Sequence, residues 1–257
     1  MKILVIGDVV GRPGRKAVQA FLPKLRREQG IDLVIANGEN AAGGLGLTPA
    51  TAEELLRYGV DVITSGNHIW HHREIIAHMD GELPIVRPMN FPPGVPGWGY
   101  LTAGKVLVVN LVGRVFMGHY DCPFRAMDSL LEGLSDEPPV IIVDFHCEAT
   151  AEKMALGWYL DGRVSAVLGT HTHVGTADAR ILPKGTAFIS DIGMAGARDS
   201  VIGDDIESVL DRFLTMMPHR LAVGKGDLIL NSVLLEVSSE SGRSLSIVRF
   251  DREMEEG

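Results

Sequence analysis

The stretch Ala166-Val167-Leu168-Gly169-Thr170-His171-Thr172-His173-Val174 is a short apolar run that ends at a glycine, with two histidines two residues apart directly after it. On extended backbone, side chains two apart lie on one side, so both imidazoles can project the same way. That is a metal-ligand arrangement; the plainer alternative is two polar residues closing a strand. Four other apolar runs end in metal-capable residues: Ile6-Gly7-Asp8, Ala36-Asn37-Gly38-Glu39-Asn40, Ser65-Gly66-Asn67-His68 and Val143-Asp144-Phe145-His146. Ligands in open α/β sheets gather beyond the carboxyl ends of the strands, so five such endings point to one site on an α/β fold.

Between these endings the chain alternates strand and helix. Residues 2 to 9 read as a buried strand, followed by a glycine-rich loop and a helix from Arg15 to Glu28. The loop has neither the Gly-Lys-Ser/Thr ending nor the Gly-x-Gly-x-x-Gly spacing of nucleotide loops. Next come a strand from Asp32 to Ala36, a helix capped by Thr48-Pro49, a strand from Val60 to Ser65 and a helical segment from His71 to Met79. This β-α-β-α-β rhythm implies parallel strands with right-handed crossovers, which would bring Asp8, Glu39 and Asn67 together. Strands follow at 84–88 and 105–113, then a helix to Leu134 broken by Asp136-Glu137-Pro138-Pro139, a strand from Val140 to Asp144 and a helix to about Leu160. After the histidine strand come a strand from Thr186 to Ser190, a loop from Asp191 to Gly203 and a helix from Asp205 to Met216. Two strands, Leu228–Val237 and Ser244–Phe250, pair around Ser241-Gly242, and the acidic tail 252–257 is expected to be mobile. No repeat or long linker divides the chain, so residues 1–257 are read as one domain.

Composition narrows the functions. A net charge of −9 argues against stable nucleic-acid binding, which needs clustered Lys and Arg. No uncharged apolar run approaches the roughly 18 to 20 residues that would span a bilayer, and the first apolar stretch is interrupted too soon by Asp8 for a signal peptide. A cytoplasmic protein without membrane attachment is expected. The two cysteines, Cys122 and Cys147, form no Cys-x-x-Cys pair, and Cys147 reads as a small core residue.

In chain order the blocks are Gly7-Asp8, Gly38-Glu39-Asn40, Gly66-Asn67-His68, His146 and Gly169-Thr170-His171-Thr172-His173. This order resembles the calcineurin-like metallophosphoesterases, whose blocks are Asp-x-His, Gly-Asp, Gly-Asn-His, a lone His and Gly-His-x-His. Two departures stand out: Val10 occupies the first block's histidine position, and Glu39-Asn40 replaces aspartate. With the runs from Asp144 to Lys153, Gly169 to Leu182 and Asp191 to Met194, they are similar to the YmdB-type family of bacterial 2′,3′-cyclic-nucleotide 2′-phosphodiesterases, over nearly the whole chain. The resemblance implies an α/β calcineurin-like metallophosphoesterase sandwich of two mixed β-sheets flanked by helices, mainly parallel in the first half and antiparallel in the last two strands. It implies two transition-metal ions, iron or manganese, with zinc also suited to oxygen and imidazole ligands. Asp8, Glu39, Asn40 and His173 would hold one metal, and Glu39, Asn67, His146 and His171 the other. It also implies a homo-oligomer, dimer or tetramer.

The chemistry expected of such a site is hydrolysis of a small cyclic phosphodiester. Two cations about 3.5 to 4 Å apart need a bridging carboxylate, and neutral imidazole and amide ligands keep them cationic enough to attract phosphate. A hydroxide shared by the metals would attack phosphorus in line, and His68 would act as the general acid for the leaving ribose oxygen. Several assignments stay open on sequence alone. Asp144 is either a support beneath the ligands or simply buried; Glu148 and Lys153 either clamp a helix or orient ligands; the Asp191–Gly203 loop either covers the site or forms a subunit contact. His71 and His72 are read as a solvated helix face, and His78, His119 and His219 as surface or capping residues. A phosphomonoesterase shares the metal core. A metal-dependent amidohydrolase also uses His-x-His, but near the first strand of a barrel and not at residue 171. The alternative of a different kind is a metal- and nucleotide-binding regulatory protein with incidental turnover.

Overall fold

The computed structural model describes residues 1–134 and 140–254, so the break expected at Asp136–Pro139 lies outside the described residues. In chain order the elements begin β1 (Lys2–Val9), α1 (Gly11–Gln29), β2 (Leu33–Asn37), α2 (Pro49–Arg57), β3 (Val62–Thr64), β4 (Ile85–Val86), β5 (Tyr100–Ala103) and β6 (Val106–Val112). They continue α3 (Pro123–Gly133), β7 (Val140–His146), α4 (Thr150–Tyr159), β8 (Ala166–Thr170), β9 (Arg180–Ile181) and β10 (Ala187–Ile189). The last are β11 (Met194–Ala197), α5 (Ile206–Thr215), β12 (Leu228–Leu230), β13 (Ser232–Val237), β14 (Ser244–Arg249) and β15 (Arg252–Met254).

The strands form the expected two mixed sheets. One runs β15-β12-β11-β1-β2-β3-β4, with β13 beside the first half of β1 and β14 beyond it; the other runs β5-β6-β7-β8-β10-β9. The neighbours β11, β1, β2, β3 and β4 are parallel, as are β6, β7, β8 and β10. β13 and β14 are antiparallel. Strands buried on both faces read as continuous apolar runs, and Val140-Ile141-Ile142-Val143 is such a run. Its even members, with Ile3, Val5, Ile35 and Val233, pack between the sheets, while its odd members face Leu156 and Phe188 on the α3/α4 side. Residues Leu4, Ile6, Val34 and Ala36 face the other way, onto Val18 and Leu22 of α1 and Leu55 of α2. The two sheets therefore share one inner layer, and both sets of parallel strands end at the same rim.

Local chemistry explains the helix boundaries. Thr48 and Thr51 form a reciprocal cap around Pro49. α1 ends at Gly30, whose left-handed φ of 63° lets its N–H reach the Arg26 carbonyl. Four expectations change. The Asp191–Gly203 loop contains β11, which takes the place beside β1; the predicted strand Leu228–Val237 is two strands that change partners at Asn231; the segment from His71 is a 3₁₀ turn, Arg73–His78. The tail is not mobile from residue 252, because Arg252–Met254 pairs with β12; residues 255–257 lie outside the described residues. Among the described residues no helix is long and apolar enough to cross a membrane.

Candidate metal centre

Asp8 closes β1, Glu39 and Asn40 follow β2, Asn67 and His68 follow β3, His146 closes β7, and His171 and His173 follow β8. All eight meet across the rim where the sheets converge. Asp8, Glu39 and His146 are fully buried, Asn40 nearly so, and Asn67, His68, His171 and His173 are half-buried. The turn at Gly66 must stay bare, because a Cβ there would collide with the Glu39 carboxylate and the His146 ring.

The centre is built around the His146 Nε2. Glu39 Oε1 lies 2.9 Å from it, His171 Nδ1 3.0 Å and Asn67 Oδ1 3.1 Å. One N–H can point at only one of these three acceptors. Glu39, His146 and His171 offer ligand atoms within 4.8 Å of one another, a spacing that suits a metal ion. On the other side, Asn40 Nδ2 is 3.2 Å from His173 Nε2 and 3.4 Å from Glu39 Oε1. Asp8 Oδ2 accepts the His171 backbone N–H at 3.0 Å. Its Oδ1, buried 3.7 Å from His173 Nε2, is the one buried side-chain polar atom among the described residues with no hydrogen-bond partner. Buried polar atoms are almost always paired, so this one is a candidate ligand atom for a cation.

Each imidazole is tied by its outer nitrogen. Thr170 Oγ1 directs its hydrogen to Asp144 Oδ1 at 2.6 Å, so the 3.1 Å contact to His146 Nδ1 has the ring nitrogen donating. His171 Nε2 faces Glu148 Oε2 at 3.2 Å, and His173 Nδ1 faces the Ile202 carbonyl at 2.6 Å; both partners can only accept. In the neutral rings the inward atoms, His146 Nε2, His171 Nδ1 and His173 Nε2, therefore carry lone pairs. A hydrogen bond on one ring nitrogen fixing the other for a metal is the usual pattern around metal-binding histidines.

Electrostatics agree with the crowding of acceptors. Burial alone would lower His146, but the Glu39 and Asp8 carboxylates raise it to about 9. Burial alone would raise Glu39, and His146 brings it down to about 2. Burial raises Asp8 to about 6 against the pull of His173 and His146. His171 falls to about 3 through burial and the neighbouring His146 charge. Burial also lowers His68, with Glu39 pulling the other way. With protein groups alone, a proton on His146 takes up the role that a cation would fill.

The expected histidine pair reaches the site differently from strand alternation. β8 stops at Thr170, and His171 and His173 adopt left-handed φ values of 101° and 65°. The turn is held from below by Asp191, whose Oδ2 accepts the Thr172 N–H at 3.0 Å and whose Oδ1 accepts the Gly193 N–H at 2.8 Å. Lys153 Nζ, buried in α4, donates to Asp191 Oδ2 at 2.7 Å. Lys153 thus braces the histidine turn, and Glu148 orients His171. Asp144 is both buried and a support: it accepts from Thr170, from Asn37 Nδ2 at 3.1 Å and from Thr64 Oγ1. Asn37, Thr64, Thr170 and Asp191 had no role assigned to them on sequence alone; the one signal was a polar residue inside each apolar run. His71 is exposed, and His72 Nε2 meets the Ala42 carbonyl at 3.3 Å. Tyr120, which stacks on Phe91 at 5.3 Å, has its phenol raised by burial and by the Glu39 charge.

The family described as YmdB-like protein matches residues 4–250. A Bacillus subtilis (strain 168) protein named 2′,3′-cyclic-nucleotide 2′-phosphodiesterase is 49% identical over 254 residues, 97% of this chain and 96% of that protein. A crystal structure of a hypothetical protein from Thermus thermophilus superposes with a TM-score of 0.92 at 47% identity, covering 98% of this chain and 99% of the other. The structure of a novel phosphatase from Mycoplasma pneumoniae gives a TM-score of 0.92 at 33% identity, covering 99% and 94%.

Proposed function

The chain belongs to the YmdB-like family, and on that footing we propose that it is a metal-dependent phosphodiesterase that opens 2′,3′-cyclic nucleotides. The observation that carries the reading is the set of inward lone pairs: three imidazoles tied from outside, with Glu39 and Asn67 oxygens and the unpartnered Asp8 Oδ1 aimed at the same space. Oxygen and imidazole donors of this kind suit iron, manganese or zinc. Asp8, Glu39, Asn40 and His173 would hold one ion, and Glu39, Asn67, His146 and His171 the other. Asn40 would turn its amide to offer Oδ1. When bound, the two ions supply charge neutralisation for the phosphoryl oxygens and lower the pKa of water.

The chain's own groups do the rest. Asn67 divides its amide: Oδ1 faces His146 Nε2 at 3.1 Å, and Nδ2 donates to His68 Nε2 at 3.2 Å. The neutral His68 ring then carries its hydrogen on Nδ1, where the leaving ribose oxygen would take it. The His68 backbone N–H, bonded to Glu39 Oε2 at 3.0 Å, fixes the ring's base against the carboxylate that would bridge the ions. The B. subtilis relative's name supports this reading.

The test is metal content measured together with hydrolysis of 2′,3′-cyclic AMP, 3′,5′-cyclic AMP and an aryl monoester, for the native chain and His68→Ala. Two transition-metal ions per chain, preference for the 2′,3′ diester and a loss of about 10²–10⁴ in rate with metal retained are expected for a general acid. Two ions with no hydrolysis of any of the three would sink the substrate class and move a metal-binding regulatory role to the front.

A further inference from the structure

The segment that follows β6 supplies none of the proposed ligands, yet it crosses the rim beside His68. Its place is fixed from below. Ser65, three residues before His68, donates its N–H to Asn110 Oδ1 at 3.3 Å, and Asn110 lies three residues before Gly113. β3 and β6 therefore deliver their carboxyl ends side by side. The Gly113 N–H then bonds the His146 carbonyl at 2.9 Å. Beyond it the segment is pinned at both feet. Glu152 of α4 accepts the Arg114 N–H at 3.1 Å and the Val115 N–H at 3.0 Å. The buried Asn90 amide donates to the Val112 and Asp121 carbonyls, both at 2.8 Å, while its Oδ1 accepts the Val112 N–H at 2.9 Å. A loop anchored this way holds its side chains in fixed positions, as a recognition element must.

The loop completes an aromatic row that ends at an open cavity. Trp70, two residues after His68, lies 6.1 Å from Phe91 between ring centroids, and Tyr120 stacks on Phe91 at 5.3 Å with the planes 17° apart. Tyr120 in turn lines a cavity of about 520 Å³ with Arg114, Val115, His119 and Asp121. Gly118 keeps the phenol end of the ring bare: a Cβ there would stand 3.1 Å from Tyr120 Cε2 and 3.6 Å from its hydroxyl. Among the described residues that hydroxyl has no hydrogen-bond partner. Burial and the Glu39 charge raise the phenol, so it stays a donor at neutral pH. Arg114 and His119 are exposed, whereas the Glu152 carboxylate in the same wall is taken up by backbone N–H groups. A half-open ring with donors at its edge suits a flat heterocycle that carries acceptor atoms.

We propose that this cavity receives the nucleobase of the substrate, with Tyr120 as the ring on which the base stacks. The inference rests on the reaction proposed above, and the connectivity of the substrate gives the direction. His68 faces the leaving oxygen; when that is the 2′-oxygen, it sits on C2′, and the base is attached to the next carbon, C1′. The base therefore lies on the His68 side of the centre, where the loop after β6 forms the rim. The cavity of about 400 Å³ beyond His173 fits less well. It lies beside β11 and β12, on the other side of β1 from β3, and its walls carry no Phe, Tyr or Trp. Its two arginines are already paired, Arg198 with Asp227 at 2.5 Å and Arg249 with Asp251 at 2.8 Å.

The test reads binding apart from turnover. Calorimetric titration of the manganese-loaded full chain with 3′-AMP, the product of the proposed reaction, and with inorganic phosphate gives the affinity ratio that the nucleoside contributes. Tyr120→Leu, which keeps Phe91 covered, should lower that ratio about 10- to 100-fold with unchanged circular dichroism, and Tyr120→Phe should keep it within about threefold. The ratio of kcat/KM for 2′,3′-cyclic AMP over glycerol 1,2-cyclic phosphate, a base-free diester, should fall in Tyr120→Leu by the same factor. Photolabelling needs no substitution: 8-azidoadenosine 3′-monophosphate should mark the native chain within residues 114–121. A native chain that hydrolyses neither diester but shows the Tyr120-dependent affinity ratio and that label keeps the base site and loses the reaction. Turnover of 2′,3′-cyclic AMP with both ratios unchanged in Tyr120→Leu keeps the reaction and overturns the base site. So does a label on residues 194–202 or 249–253, or a native chain that binds 3′-AMP no more tightly than phosphate.

Discussion

Stripping metal from the centre should leave a chain that loses stability as the pH rises from about 6.5 to 9. The reason is the proton on His146, raised from the ordinary 6.5 to about 9 by the Glu39 and Asp8 carboxylates against the opposing effect of burial. A raised basic group contributes stability that is fully present below its unfolded value and disappears as pH rises through the folded one, here between about 6.5 and 9. Asp8, raised by burial from 3.8 to about 6, works in the same direction at lower pH, because its folded form also holds the extra proton. Glu39, brought down to about 2, contributes stability lost only as pH falls below its ordinary 4.5. Each pKa unit is ~1.4 kcal/mol, so the His146 contribution is roughly 3 kcal/mol, or about 6–12 °C of midpoint for a chain of this size. Thermal melts of chelator-treated protein from mild acid to pH 9.5 would measure it, with His146→Gln as the control that should flatten the slope. Manganese added in excess should reverse the trend, because the ion needs the neutral imidazole and gains affinity as that proton leaves. A metal-free midpoint that is flat or rises between pH 6.5 and 9 would refute the account.

Two substitutions probe the layer beneath the ligands. Thr170→Val removes only the hydroxyl that accepts from His146 Nδ1 and donates to Asp144; metal affinity by manganese titration should fall about 10- to 100-fold, and unchanged affinity would show that the hydroxyl does not set the ring. Lys153→Met leaves the buried Asp191 carboxylate without its cation, so denaturant melts should show a loss of about 3–5 kcal/mol, partly recovered by adding Asp191→Asn; a native-like midpoint would rule out the brace.

The five strand endings were legible because they combine two local signals, a continuous apolar run and an abrupt glycine or polar stop, and each signal follows from burial on both faces of a parallel strand. The segments that failed to announce themselves lack one of those signals. β11 is Met-Ala-Gly-Ala, small enough to lie beside Gly7 and Gly14 but without a β-branched residue to mark it. β15 is Arg-Glu-Met, an edge strand held by its ladder with β12 rather than by buried side chains. β12 and β13 run together in sequence as one apolar stretch, and the switch at Asn231 depends on a side chain that accepts the Met194 N–H at 3.2 Å from another strand. α5 was legible as a helix from its period, but the same period could not tell that its apolar face lacks a neighbour within the chain.

At the site the division is sharper. Which residues meet could be read from where strands end; which nitrogen of each imidazole faces inward could not, because Thr170, Glu148 and Ile202 act through partners that only the folded sheets bring together. These three restraints come from different places: a strand in the second sheet, the start of the α4 segment, and the turn before α5. Only the first is rigid by construction, since Thr170 and Asp144 sit in adjacent paired strands and are fully or almost fully buried. The Ile202 restraint rests on a surface turn closed by its own Val201–Asp204 bonds and tied to the rest of the chain by the Gly224 N–H on the Gly203 carbonyl at 2.8 Å. The candidate ligands are therefore held unequally: His146 is fixed by the core, whereas His173 is aimed by the surface segment that leads into α5. Anything that covers that segment acts first on the side of the candidate centre formed by Asp8, Asn40 and His173, and reaches His146 through Glu39 Oε1 at 2.9 Å and Asp8 Oδ1 at 3.9 Å.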